Sequence, residues 1–148
     1  MYFKRKELEK FRSFNGPLID VRSPSEYYKG HLPNSINIPL FDNEERSIIG
    51  KIYKKEGRKK AVIEGLKFFE KKMEILLDNL FMSIESYKTI PNKNNEFLIR
   101  IYCSRGGMRS QSIAWLLEKY KLKPKDGSEP TFDLGGDSSH ISPYLYFW

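Results

Sequence analysis

The stretch YCSRGGMRS, Tyr102 to Ser110, contains the only cysteine of the 148-residue chain, with two glycines and two arginines close behind it. A lone cysteine is by default a small buried hydrophobe. The neighbours of Cys103 point to a different use. Gly106 and Gly107 let the backbone curl so that successive N–H groups face inward as an anion-binding nest. Arg105 and Arg109 add fixed positive charge. Each of these favours the thiolate over the thiol, and a reachable thiolate in a cationic cradle is a nucleophile or a sulfur carrier. Five residues separate Cys103 from Arg109, a C-x5-R spacing that lets the arginine lie over an anion held above the sulfur. Cysteine-dependent phosphatases use the same spacing. Phosphoryl transfer and sulfur or selenium transfer therefore both stay open at this point.

The elements that must position this loop are legible on either side of it. FLIRIYC (Phe97 to Cys103) predicts a buried strand with four apolar residues around Arg100, and RSQSIAWLLEKY predicts a helix apolar at Ile113, Ala114, Leu116 and Leu117. Cys103 then sits at the carboxyl end of a strand, where open α/β sheets bind ligands, and the following helix turns its positive N-terminal end toward the loop. GPLIDVRS (Gly16 to Ser23) reads as another short buried strand. It runs into a helix with Ser23 as cap, Pro24 at the first position and Glu26 closing a capping box. NSINIP (Asn34 to Pro39) predicts a second short strand, and FDNEER opens a helix capped by Asp42 or Asn43 with acids in its first turn. From Lys60 to about Tyr87 the spacing is helical, with Val62, Leu66, Phe69, Met73, Leu76 or Leu77, Leu80 and Ile84 as the core-facing stripe. PTFDLGG is expected to be a last short strand. Alternating strands and helices predict an α/β fold, a parallel sheet flanked by helices.

Composition narrows the classes. Hydrophobic residues are 39% and charged residues 30%, as in a folded globular chain of one domain. One cysteine excludes an internal disulfide framework and a cysteine-built zinc site, so no metal site is expected. No apolar run follows the charges of MYFKRKELEK, and none approaches the roughly 18 residues of a membrane span. The expectation is a cytoplasmic protein with no membrane partner. The net charge of +7, from 26 Lys and Arg against 19 Asp and Glu, suits either a polyanionic partner or a lysine-rich solvated surface.

LIDVRSPSEYYKGHLPNSINIP resembles the N-terminal signature of the rhodanese family: Asp20 and Arg22, then Glu26, Gly30-His31-Leu32-Pro33 and Asn37-Ile38-Pro39. The resemblance implies that Cys103 carries a persulfide, that Asp20 and Arg22 tie loops together near it, and that His31 is a hydrogen-bonded loop residue rather than a general base. A finer resemblance covers most of residues 16 to 118. FDNEERSIIGKIYKKEGRKKAVIEGLKF and YCSRGGMRSQSIAWLL are similar to the rhodanese domain of the tRNA 2-selenouridine synthases. It implies replacement of sulfur by selenium in the wobble 2-thiouridine of tRNA, with selenophosphate as donor and an S-geranylated nucleoside on the way, hence geranyl diphosphate for the complete enzyme. No cofactor bound to this chain is implied. Cys103 matches the family's essential cysteine, and Ser104, Arg105, Gly106, Gly107, Met108, Arg109 and Ser110 match the loop enclosing the transferred group.

Two departures shape the expectation. That family carries a second, P-loop domain, and no G-x-x-x-x-G-K-[ST] stretch occurs here. Either the chain is a fragment or the P-loop half is a separate subunit. The expected organisation is one rhodanese-like domain over 1–148, with its motifs in about 16–136 and a helical insertion, ending in an atypical tail, 137–148. ISPYLYFW in that tail is aromatic enough to dock a partner, or it packs on the domain or stays disordered. The alternatives to the leading reading are a stand-alone sulfurtransferase carrying a cysteine persulfide and a C-x5-R phosphatase or arsenate reductase. Tyr102 stands where such phosphatases usually have histidine.

Overall fold

The computed structural model describes residues 16–88, 99–104, 107–119 and 144–147, the last four as backbone only. Four parallel strands form one sheet in the order β2-β1-β3-β4: β1 is Leu18–Asp20, β2 Ile36–Asn37, β3 Ile99–Tyr102 and β4 Tyr144–Phe147. The helices are α1 (Pro24–Lys29), α2 (Asn43–Glu56), α3 (Arg58–Lys88) and α4 (Met108–Lys119). Ile19 pairs with Ile36 on one side and with Ile101 on the other, so β1 and β3 are the central strands. Helical connections between parallel strands are what such a sheet requires.

Side-chain alternation sorts the central strands. Ile19 and Val21, with Ile99, Ile101 and Cys103, enter the main core cluster beside Phe69, Leu76, Leu77, Leu80 and Ile84 of α3 and Ile113, Ala114, Leu116 and Leu117 of α4. Leu18 and Tyr102, one residue out of phase, form a smaller cluster with Leu32. A period of two thus decides which way Cys103 faces.

Helix boundaries follow from local chemistry. Glu26 accepts from the backbone N–H of Ser23 at 3.0 Å, and Pro24 takes the first turn of α1. Asp42, not Asn43, caps α2: it accepts from the N–H of Glu45 at 2.8 Å, and Glu45 accepts in return from the N–H of Asp42 at 3.0 Å. Gly57, at φ 87°, separates α2 from α3. It adopts the left-handed backbone that most residues avoid.

Several boundaries differ from the sequence expectation. The second strand shrinks to Ile36–Asn37, and the third ends at Tyr102, before Cys103; Phe97 and Leu98 lie outside the described residues. The buried face of α3 follows the expected stripe from Phe69 to Ile84 and departs from it only in the first turns. Leu66 is 59% exposed, whereas Ala61 and Gly65 are buried. A Cβ on Gly65 would lie 3.3 Å from the Phe41 ring and 3.7 Å from Ile49, so the small residue marks where α3 closes on its neighbours. The tail supplies β4, pairing Tyr144 with Ile99 and Phe147 with Tyr102. PTFDLGG lies outside the described residues.

Candidate active site

Cys103 follows β3 directly and is 7% exposed. Its Sγ lies 3.2 Å from the carbonyl oxygen of Ser104 and 3.3 Å from Oγ of Ser110. Ser110 is fully buried in the first turn of α4, and its hydroxyl donates to the carbonyl of Gly107 at 3.0 Å. A hydroxyl has one proton to give. While Cys103 is a thiol, it donates and Ser110 serves Gly107; once the sulfur is ionised, the same hydroxyl can turn to donate to it, a stronger charge-assisted bond. Gly107, at φ 63°, makes the turn into α4, and its carbonyl accepts from the N–H of Gln111 at 2.9 Å. Met108 opens α4 with 36% exposure. Arg105 and Gly106 lie outside the described residues.

Arg109 does come back over the loop, but its fork meets a carboxylate. Its two terminal nitrogens bond Glu26 at 2.7 and 3.1 Å, and one of them also donates to Oγ of Ser104 at 2.6 Å. Burial alone would raise the pKa of Glu26. The hydrogen bonds and charge of Arg109, with two bonds from Ser23, outweigh it and bring the carboxyl down to about 2. Glu26 therefore has two roles, as capping residue of α1 and as ionic anchor of the cysteine loop. Sequence reasoning found only the first, because the second joins positions 83 apart.

The rhodanese-like signature residues form the frame beneath. Asp20 is fully buried and receives the Arg22 guanidinium at 3.0, 3.1 and 2.7 Å, as well as the Arg22 backbone N–H at 2.9 Å. Arg22 also donates to the carbonyl of Gly30 at 2.7 Å, and its guanidinium carbon lies 5.5 Å from the Tyr102 ring centre. The Asp20 hydrogen bond, partly opposed by burial, raises the pKa of Arg22 further. The Tyr102 hydroxyl accepts from the N–H of Leu32 at 3.0 Å and meets Oγ of Ser35 at 3.1 Å. The residue just before the cysteine thus secures the loop after α1, a role its sequence position did not disclose. His31 stacks on the Tyr27 ring at 3.7 Å, with Nδ1 2.8 Å from the Tyr27 carbonyl. It stays apart from the Cys103 contacts.

Residues 4–135 match the family model of the rhodanese-like domain. The chain belongs to the rhodanese family. Within it, the chain is 41% identical over 103 residues to a tRNA 2-selenouridine synthase of Proteus mirabilis, a match covering 69% of this chain and 26% of that protein. A tRNA 2-selenouridine synthase of Nitrosomonas eutropha is 36% identical over 74% of this chain and 26% of its own length, and that of Bdellovibrio bacteriovorus 32% identical over 82% and 30%. This rhodanese-family chain therefore spans under a third of those relatives. The solved N-terminal domain of a Clostridium difficile 630 protein described as ATP/GTP binding superposes with a TM-score of 0.60 and 33% identity, covering 76% of this chain and 81% of that one. Among the described residues, no helix is long and apolar enough to cross a membrane, and no group of three His, Cys, Asp or Glu could hold a metal.

Proposed function

We propose that this chain is the rhodanese half of a tRNA 2-selenouridine synthase, in which Cys103 carries the sulfur-for-selenium exchange on wobble 2-thiouridine with selenophosphate as donor. The observation that carries this reading is the placement of the chain's one cysteine. It lies at the carboxyl end of a central strand, against the buried hydroxyl of Ser110, and next to Ser104, which an arginine paired with Glu26 holds. The named relatives supply the substrate class. In this reading Ser110 holds the proton that steadies the thiolate, Gly107 shapes the turn that delivers it, and Asp20, Arg22 and Tyr102 keep the loops around it in register. Arg105 and Gly106 are assigned to donor binding from the sequence alone.

The phosphatase alternative needs a protonated acid to release the leaving group. Glu26 is the carboxylate that meets Arg109, and it is held ionised down to about pH 2. It cannot donate that proton near neutrality. Membership of the rhodanese family keeps a second transferase reading, in which the chain works on thiosulfate by itself. There the thiolate takes the outer sulfur, the new Sγ–S bond forms as the donor's S–S bond breaks, and sulfite leaves with the electron pair.

The remaining two-thirds or more of the relatives would supply the P-loop half, as a missing domain or a separate subunit; the solved neighbour's description as ATP/GTP binding fits that arrangement. The geranyl donor and a share of the tRNA contacts would belong there. A cytoplasmic location follows from the tRNA substrate. The test is selenouridine formation from selenophosphate, geranyl diphosphate and thiolated tRNA, with and without a P-loop half from a relative. Product should form only when both are present. Full turnover by this chain alone would refute the half-enzyme reading, and thiosulfate turnover without selenouridine under either condition would favour the stand-alone sulfurtransferase.

A further inference from the structure

A second guanidinium reaches the same carboxylate from another element. Arg46, in the first turns of α2, places its Nε 3.8 Å from Oε2 of Glu26, the oxygen that Arg109 holds at 2.7 Å. The two arginines differ in what they have left to give. Arg109 directs three short bonds at Glu26 and Ser104. The Arg46 guanidinium makes no hydrogen bond among the described residues; its Nε is buried without an acceptor, while the side chain as a whole is 38% exposed. One carboxylate thus faces two permanent positive charges, and the unspent one is accessible. Gly50, one turn further along α2, makes the space: a Cβ there would lie 3.0 Å from a terminal nitrogen of Arg46.

We propose that Arg46 is an anion-binding residue of the cysteine site, taking an oxygen of the donor's phosphate-like group while Glu26 holds Arg109 in place. The ligand class is a small tetrahedral oxyanion bearing the transferable sulfur or selenium. A guanidinium suits it because its planar fork matches paired oxygens. The proposal rests on the transferase reading for the identity of the donor, but its geometry does not depend on tRNA.

The test uses the whole chain with inorganic phosphate as probe, following binding by calorimetry and melting in the absence of phosphate. Arg46→Ala should weaken phosphate binding about tenfold or more, while Arg46→Lys restores only part of it. Gly50→Ala keeps every charge, and its cheapest adjustment is displacement of the flexible Arg46 tip. It should lower phosphate affinity several-fold, with melting unchanged or raised by the better helix former. A role for Arg46 that is only structural, through Glu26, would appear as lower melting with unchanged phosphate affinity, and would overturn the proposal. So would unaltered phosphate binding in Arg46→Ala and Gly50→Ala. If the reconstituted enzyme makes no selenouridine while Arg46 still governs phosphate binding, the functional reading fails and the anion site stands.

Discussion

Replacing Glu26 by Gln removes the negative charge that two arginines share while leaving the side chain's shape almost intact. A carboxyl held at about 2 rather than at 4.5 corresponds to roughly 3 kcal/mol of folding stability when ionised, at about 1.4 kcal/mol for each tenfold change in proton affinity. The side chain is 25% exposed, so solvent screens part of this and about 2 kcal/mol is the working figure. The sign follows from the direction of the change. The folded carboxyl is the more acidic one, so its contribution is complete above about pH 4.5 and disappears as pH falls through about 2. Urea unfolding of wild type and Glu26→Gln should therefore differ by about 2 kcal/mol at pH 7, with the gap closing between pH 4.5 and 2. Two results would refute the reasoning: equal stabilities at pH 7, or a gap that does not change with pH.

Ser110→Ala should slow iodoacetamide labelling of Cys103 several-fold at neutral pH, read by intact mass, because the buried hydroxyl that can donate to Sγ is gone. Tyr102→Phe deletes the hydroxyl bonded to Leu32 and Ser35 and should cost about 1–3 kcal/mol in denaturant unfolding, with faster hydrogen exchange at the Leu32 amide. Gly65→Leu overfills the contact with Phe41 and Ile49; a loss of about 1–3 kcal/mol is expected, and unchanged stability would show that α3 can move away.

What the sequence disclosed, and what it hid, divides by range. The Ser23-Pro24-Glu26 start of α1 and the Asp42 cap of α2 act over three residues, so their signals sit side by side in the chain. The alternation of Ile99, Ile101 and Cys103 is local too, but the expectation of a reachable thiolate did not use it: the sulfur lies on the core side of β3 and Cys103 is buried. The face of α3 was harder to assign. From Phe69 to Ile84 the expected stripe packs, but in the first turns the buried positions are Ala61 and Gly65, whose small size carries no hydrophobic signal. Pairing of Tyr144–Phe147 with β3 depends on partners 45 positions earlier in the chain, so an aromatic tail looked no different from a docking segment. At the site, Arg109 donates to Ser104, five positions earlier in the same loop. Its carboxylate partner and the second arginine come from α1 and α2, and no spacing rule links them to Cys103.

The most direct test of the account is the Cys103→Ala variant in the enzyme reconstituted with a P-loop half. Cysteine occurs once in the chain, so no other thiol of this chain can substitute. Selenouridine formation should fall by about a thousandfold or more, the scale on which removing a nucleophile acts, while the melting temperature and phosphate binding stay near those of wild type. A folded Cys103→Ala variant that still exchanges sulfur for selenium at the wild-type rate would return Cys103 to the status of a buried hydrophobe and contradict the account.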